Sequence, residues 1–141
     1  MTSKMIPCAA LLGLSAAILA ACGTGTVIRD DGTAEAPKWH APEAESFGER
    51  NEFDKRAGTF PNLQGLAQVR AGMTKDQVRE LIGRPQYSDG WRPREWNYLF
   101  SFDSKDGIVS CQYKILFDKE GFARSFHWNP VKPENGACPA K

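Results

Sequence analysis

The chain has 141 residues, 41% of them hydrophobic, 11% aromatic and 25% charged. That is enough for one domain with a modest core. Eighteen basic residues against seventeen acidic ones leave a formal charge of +1, which announces no nucleic-acid partner.

Residues 1–21 read as a leader and not as part of that domain. Lys4 and the amino terminus make a thin positive region, and Met5 to Ala21 is apolar or small, too short for a comfortable membrane span. Leu19-Ala20-Ala21-Cys22 then fits a lipobox. The expectation is that the Cys22 thiol takes a diacylglyceryl group, that the chain is cut before it, and that the new amine is acylated. The alternative is an ordinary signal peptide cut at an A-x-A-like site, with Cys22 incidental. Two or three acyl chains make a stable membrane anchor where one would not. That lipid is the only non-protein group expected. Gly23 follows the cysteine. By resemblance to proteobacterial lipoproteins, the absence of Asp there favours the outer membrane, on its periplasmic face.

Residues 22–58 read as a flexible tether, rich in Gly, Thr, Ala, Pro and Glu without a sustained period. If flexible, some 35 residues span roughly 30 Å. Trp39, Phe47 and Phe53 are its exceptions: docking points, residues that fold back, or incidental aromatics.

The folded domain is expected over 59–130. Asn62 can cap a short helix from Leu63 to Val69, weakened by Gly65. A second helix, Lys75 to Ile82, has stronger boundaries. Thr74 and Gln77 have the spacing of a capping box, Met73 and Val78 that of a hydrophobic staple, and Asp76 lies in the first turn. Val78, Leu81 and Ile82 make one apolar face, while Gly83 and Pro85 end the helix. Eight residues make about 12 Å of helix, too little to stand alone in water.

Three strands follow. Trp96, Tyr98, Phe100 and Phe102 alternate with Asn97, Leu99 and Ser101. Ile108 to Asp118 places Val109, Cys111, Tyr113, Ile115 and Phe117 on one face; Phe122 to Trp128 places Phe122, Phe126 and Trp128 on one face, interrupted by Arg124. Short connections at Asp103–Gly107 and Asp118–Gly121 make the neighbours antiparallel. The expected fold is α+β: two short helices on a three-stranded antiparallel meander, α-α-β-β-β. Residues 131–141 form a Pro-containing tail.

The run GMT-x-x-QV, (L/I)G-x-P, S-D-x-aromatic, W-x-Y-x-F spans much of this domain. Its residues are Gly72-Met73-Thr74, Gln77-Val78, Ile82-Gly83, Pro85, Ser88-Asp89, Trp91, Trp96, Tyr98 and Phe100. It resembles the SmpA/OmlA (BamE-like) outer-membrane lipoprotein family, over roughly Phe60 to Trp128. The resemblance implies a non-enzymatic scaffold or accessory in outer-membrane β-barrel protein assembly and envelope integrity. The implied partners are assembly-machinery subunits of the Bam type and anionic phospholipid. The α-α-β-β-β order is also similar to repeats of the β-lactamase inhibitor protein. That leaves a periplasmic inhibitor or ligand-binding module as the alternative.

The segment Gln86–Arg94 lies outside the helix and strand patterns. It holds Tyr87 and Trp91 beside Arg92 and Arg94, with Arg84 close before it. Aromatics with arginines compose interface hot spots and also suit anionic headgroups. Tyr87, Trp91, Arg92 and Arg94 are therefore the candidate partner- or lipid-binding residues; the resemblance implies a surface aromatic at Trp91. The bland reading is a solvated connector with Trp91 capping the core.

Cys8 would leave with the leader and Cys22 would carry lipid. That leaves Cys111 and Cys138 as an even pair in an oxidising compartment, the candidates for a disulfide. A metal or catalytic site from Cys111, His127 and Cys138 is the alternative, unsupported by C-x-x-C or H-x-x-x-H spacing. No nucleophile elbow, P-loop or paired-carboxylate motif points to catalysis.

Overall fold

The computed structural model describes residues 25–39, 58–88 and 92–139. Helix α1 is Leu63–Gln68, capped by the Asn62 side chain, which accepts from the Gly65 amide. Helix α2 is Lys75–Ile82, and its capping box is complete. Thr74 accepts from the Gln77 amide at 3.2 Å, and Gln77 accepts from the Thr74 amide at 2.9 Å. Gly83, at φ 79°, closes α2 in a conformation that favours glycine.

Gly65 turns out to be a contact point. A Cβ there would lie 2.1 Å from the Leu81 carbonyl oxygen, so the two helices touch backbone to backbone at this position.

The sheet has four strands where the sequence pattern suggests three. They are β1 (Tyr87–Ser88), β2 (Glu95–Ser104), β3 (Gly107–Phe117) and β4 (Ala123–Pro130), antiparallel in chain order. Strand β1 escapes a periodicity reading because two residues carry no period. Thr59 adds one parallel bridge to β2 at Phe100, accepted and donated through Leu99 and Ser101.

The face of β4 also departs from the alternation. A register shift between Leu116 and Phe117 places Ala123 opposite Phe117. Ala123 is therefore buried, and Phe122 is left 38% exposed beside Arg124. A bulge adds one residue, and one residue is enough to exchange the faces beyond it.

The helices cover one face of the sheet. Leu66, Val69, Val78 and Ile82 pack with Trp96, Tyr98, Phe100, Tyr113, Ile115, Phe117 and Ala123 in a single core. The Tyr98 hydroxyl donates to the Gly83 carbonyl at 3.0 Å, fixing the end of α2 to β2. Gly72 and Met73 exchange backbone hydrogen bonds with Ala123, fixing the start of α2 to β4. Past the helices, the tail folds over the same face. Cys138 is bonded to Cys111, with Cα atoms 5.9 Å apart, and Gly136 lies against Val109.

The opposite face is polar, yet Asn97, Ser101, Gln112 and Lys114 on it are buried. Residues 25–39 lie across it, so this part of the expected tether is packed on the domain. The composition suggested freedom because the contacts are polar and leave no apolar period to read. The Trp39 ring sits 5.1 Å from the Lys114 ammonium, which identifies it as a residue that folds back. Phe47 and Phe53 lie outside the described residues.

Candidate functional site

The segment from Gln86 to Arg94 links α2 to β2, and its ends are built into the sheet. The Gln86 amide nitrogen donates to the Leu99 carbonyl and the Thr59 hydroxyl, each at 3.0 Å. Tyr87 and Ser88 pair with Asn97 and Trp96. At the other end the Arg94 guanidinium donates to the Phe117 carbonyl at 3.1 Å and to the Arg29 carbonyl. Although the segment lies outside the strand patterns of the sequence, Tyr87 and Arg94 therefore take part in holding the fold. Arg94 is committed because a backbone carbonyl at the bulge needs a donor, and a guanidinium carries five. Arg92 is exposed and holds φ at 64°, unusual for a residue with a side chain. Trp91 lies outside the described residues.

Arg92 and Arg94 line an open cleft of about 670 Å³ with Thr74, Lys75, Asp76, Arg79, Asp118 and Glu120. The cleft holds both signs of charge. Arg79 is paired with Asp76 at 2.8 Å, and Asp118 with Arg124 at 2.6 Å. Lys75 donates to the Pro93 carbonyl at 2.6 Å and lies over the Phe117 ring. Burial, and then the charge of Arg94, lower the Lys75 pKa. Among the described residues, Arg92 is thus the cleft arginine without a hydrogen bond or ion pair to give up on meeting a partner.

The residues of the alternative metal site are not brought together. Cys111 and Cys138 are bonded on the core face, while His127 pairs with Lys114 on the polar face. No group of three metal-ligating side chains occurs among the described residues. Cys22 lies outside them.

Lys114 and Glu95 were invisible to sequence reasoning. Lys114 is fully buried in the middle of β3 and forms an ion pair with Glu95. Its position on the even face of an alternating strand reads as solvated. Burial alone would raise the Glu95 pKa, but hydrogen bonds from Lys114, Thr26 and Asn97 and the Lys114 charge hold it below the usual range.

The fold and the cleft stand beside a match to known proteins. Residues 58–127 match the family described as the outer membrane protein assembly factor BamE domain. This is a BamE-family domain. The chain is similar to the "Outer membrane protein assembly factor BamE" of Haemophilus influenzae, 28% identical over 83 residues, covering 58% of this chain and 61% of that one. It is 39% identical over 59 residues to the protein of that name from Neisseria meningitidis serogroup B, covering 42% and 40%. With the Escherichia coli protein of that name it shares 24% over 83 residues, covering 58% and 74%. The chain thus spans less than two thirds of the Haemophilus and Neisseria relatives. The BamE match begins at Gly58, so residues 25–39 lie before it.

Proposed function

We propose that this protein is a non-enzymatic accessory of outer-membrane β-barrel assembly, held at the periplasmic face of the outer membrane by lipid on Cys22. The observation that carries this reading is the BamE domain over residues 58–127, together with relatives named as outer membrane protein assembly factors. The proposed contact surface is the Tyr87–Arg94 segment with the cleft beside it, meeting Bam-type subunits and anionic phospholipid. Arg92 and Trp91 are its contact residues. Tyr87 and Arg94 hold the segment in place.

In-cell crosslinking followed by pull-down tests the partner. Recovery of barrel-assembly subunits is expected, and recovery of a soluble periplasmic enzyme alone would favour the inhibitor alternative. Cys22→Ser is expected to leave an unprocessed or mislocalised chain; normal mass and membrane fractionation would remove the anchor from the proposal. Arg92→Ala is expected to reduce co-sedimentation with anionic vesicles in a salt-sensitive way. Unchanged co-sedimentation would remove phospholipid from the partners.

A further inference from the structure

The polar face of the sheet is a built surface with a segment of the same chain seated on it. Across β2, β3 and β4 that face carries Asn97 beside Lys114 and His127, Leu99 beside Gln112 and Asn129, and Ser101 beside Ser110. Apart from Leu99 and Leu116, which are buried on it, such a face can meet water without cover, unlike the aromatic face opposite, where exposure would cost the hydrophobic burial that holds the domain together. Cover is present all the same, and its contacts have one chemistry. Three side chains of the domain each donate to a main-chain carbonyl of residues 25–39: Lys114 to Lys38, Ser125 to Gly32, and Arg94 to Arg29. The Lys119 amide donates to a fourth carbonyl, that of Asp30, at 3.1 Å. Main-chain carbonyls occur in every polypeptide, so donors aimed at them read backbone and not sequence. Side-chain recognition comes from Thr26, whose hydroxyl meets Lys114 at 3.4 Å, and Trp39, whose ring lies over the same ammonium.

We propose that this face is a binding surface for an extended polypeptide segment of a partner protein, and that residues 25–39 occupy it in cis as a releasable strap. Lys114 is the lock, because it gathers a strap carbonyl, the Thr26 hydroxyl and the Trp39 ring around the Glu95 carboxylate. Gly32 is the point of closest approach. Its φ is 82°, and a Cβ there would lie 2.6 Å from the Arg124 Cβ and 2.9 Å from the Asp118 nitrogen. A side chain at position 32 cannot fit unless the strap or its neighbours Arg124 and Asp118 move, and the strap, held outside the strand ladder, is expected to be the part that lifts. The proposal does not depend on the role in barrel assembly.

The test uses the full chain and its Gly32→Val variant, with native-state hydrogen exchange as the first readout. In the wild type, strap amides are expected to exchange through a local opening, faster than those of β3. In Gly32→Val they should exchange at least tenfold faster still, with β3 unchanged. The second readout is binding of a labelled synthetic peptide of residues 25–39, by fluorescence anisotropy. The peptide should bind Gly32→Val, bind the wild type at least tenfold more weakly, and lose binding when Lys114→Met is added to Gly32→Val. The proposal is overturned if wild-type strap amides exchange together with β3, since the strap is then part of the core. It is equally overturned if the peptide fails to bind Gly32→Val with an intact sheet, or binds both chains alike.

Discussion

Gly65 shows how a single residue can be misjudged from helix propensity. Alanine there would gain about 1 kcal/mol in an isolated helix. Here its methyl group would meet the Leu81 carbonyl at 2.1 Å, and the helices must separate. Gly65→Ala is expected to destabilise the protein by about 1–3 kcal/mol, as overpacking does. Urea unfolding checks this, and a more stable variant would mean that the helices do not touch at this point. His127 makes a second prediction. Burial, and then the Lys114 ammonium across the strand, lower its pKa below the usual 6.5. As pH falls through that value the unfolded chain takes up the proton and the folded chain resists, so the unfolded state binds more protons and stability drops. Above it the ring is neutral in both states and adds no slope. Urea midpoints should therefore fall between about pH 7 and pH 5.5, and His127→Gln should flatten the fall. An equal slope in the variant would assign the effect elsewhere.

At the scale of elements, α2 was legible almost residue by residue, because capping is local chemistry written in four adjacent positions. Thr74→Ala is expected to cost about 1 kcal/mol by removing the acceptor for the Gln77 amide. Thermal unfolding measures it; an unchanged midpoint would make the capping box ornamental. The long strands β2 and β3 were also legible, through alternation of large aromatics. What failed was non-local. Strand β1 has two residues, and its existence depends on Asn97 and Trp96 being opposite. The face of Ala123 depends on how β4 registers against β3, where Arg124 is left over between the Leu116–Ser125 and Phe117–Ala123 pairs. The Gln86–Arg94 segment looked unengaged because the acceptors that hold it lie at Thr59, Leu99, Phe117 and Arg29. Hydrogen bonds of this kind leave no period in a sequence.

At the scale of the molecule, the Cys111–Cys138 bond closes 27 residues of separation and holds the tail over Val109. Its removal is expected to cost on the order of 3 kcal/mol, chiefly through the greater freedom of the unfolded chain. Cys138→Ser, measured by urea unfolding beside the wild type, checks this. A change below about 1 kcal/mol would mean the tail contributes little, as for a surface substitution.

The strap carries one more consequence, and it concerns the order of events in assembly. The pairings of β2 with β3 and of β3 with β4 join near neighbours in the chain. The strap contacts join residues 65 to 93 positions apart. Closing such long loops costs entropy before any contact offsets it, so local hairpins form sooner. Every new molecule therefore passes through an interval in which the sheet is made and its polar face is bare.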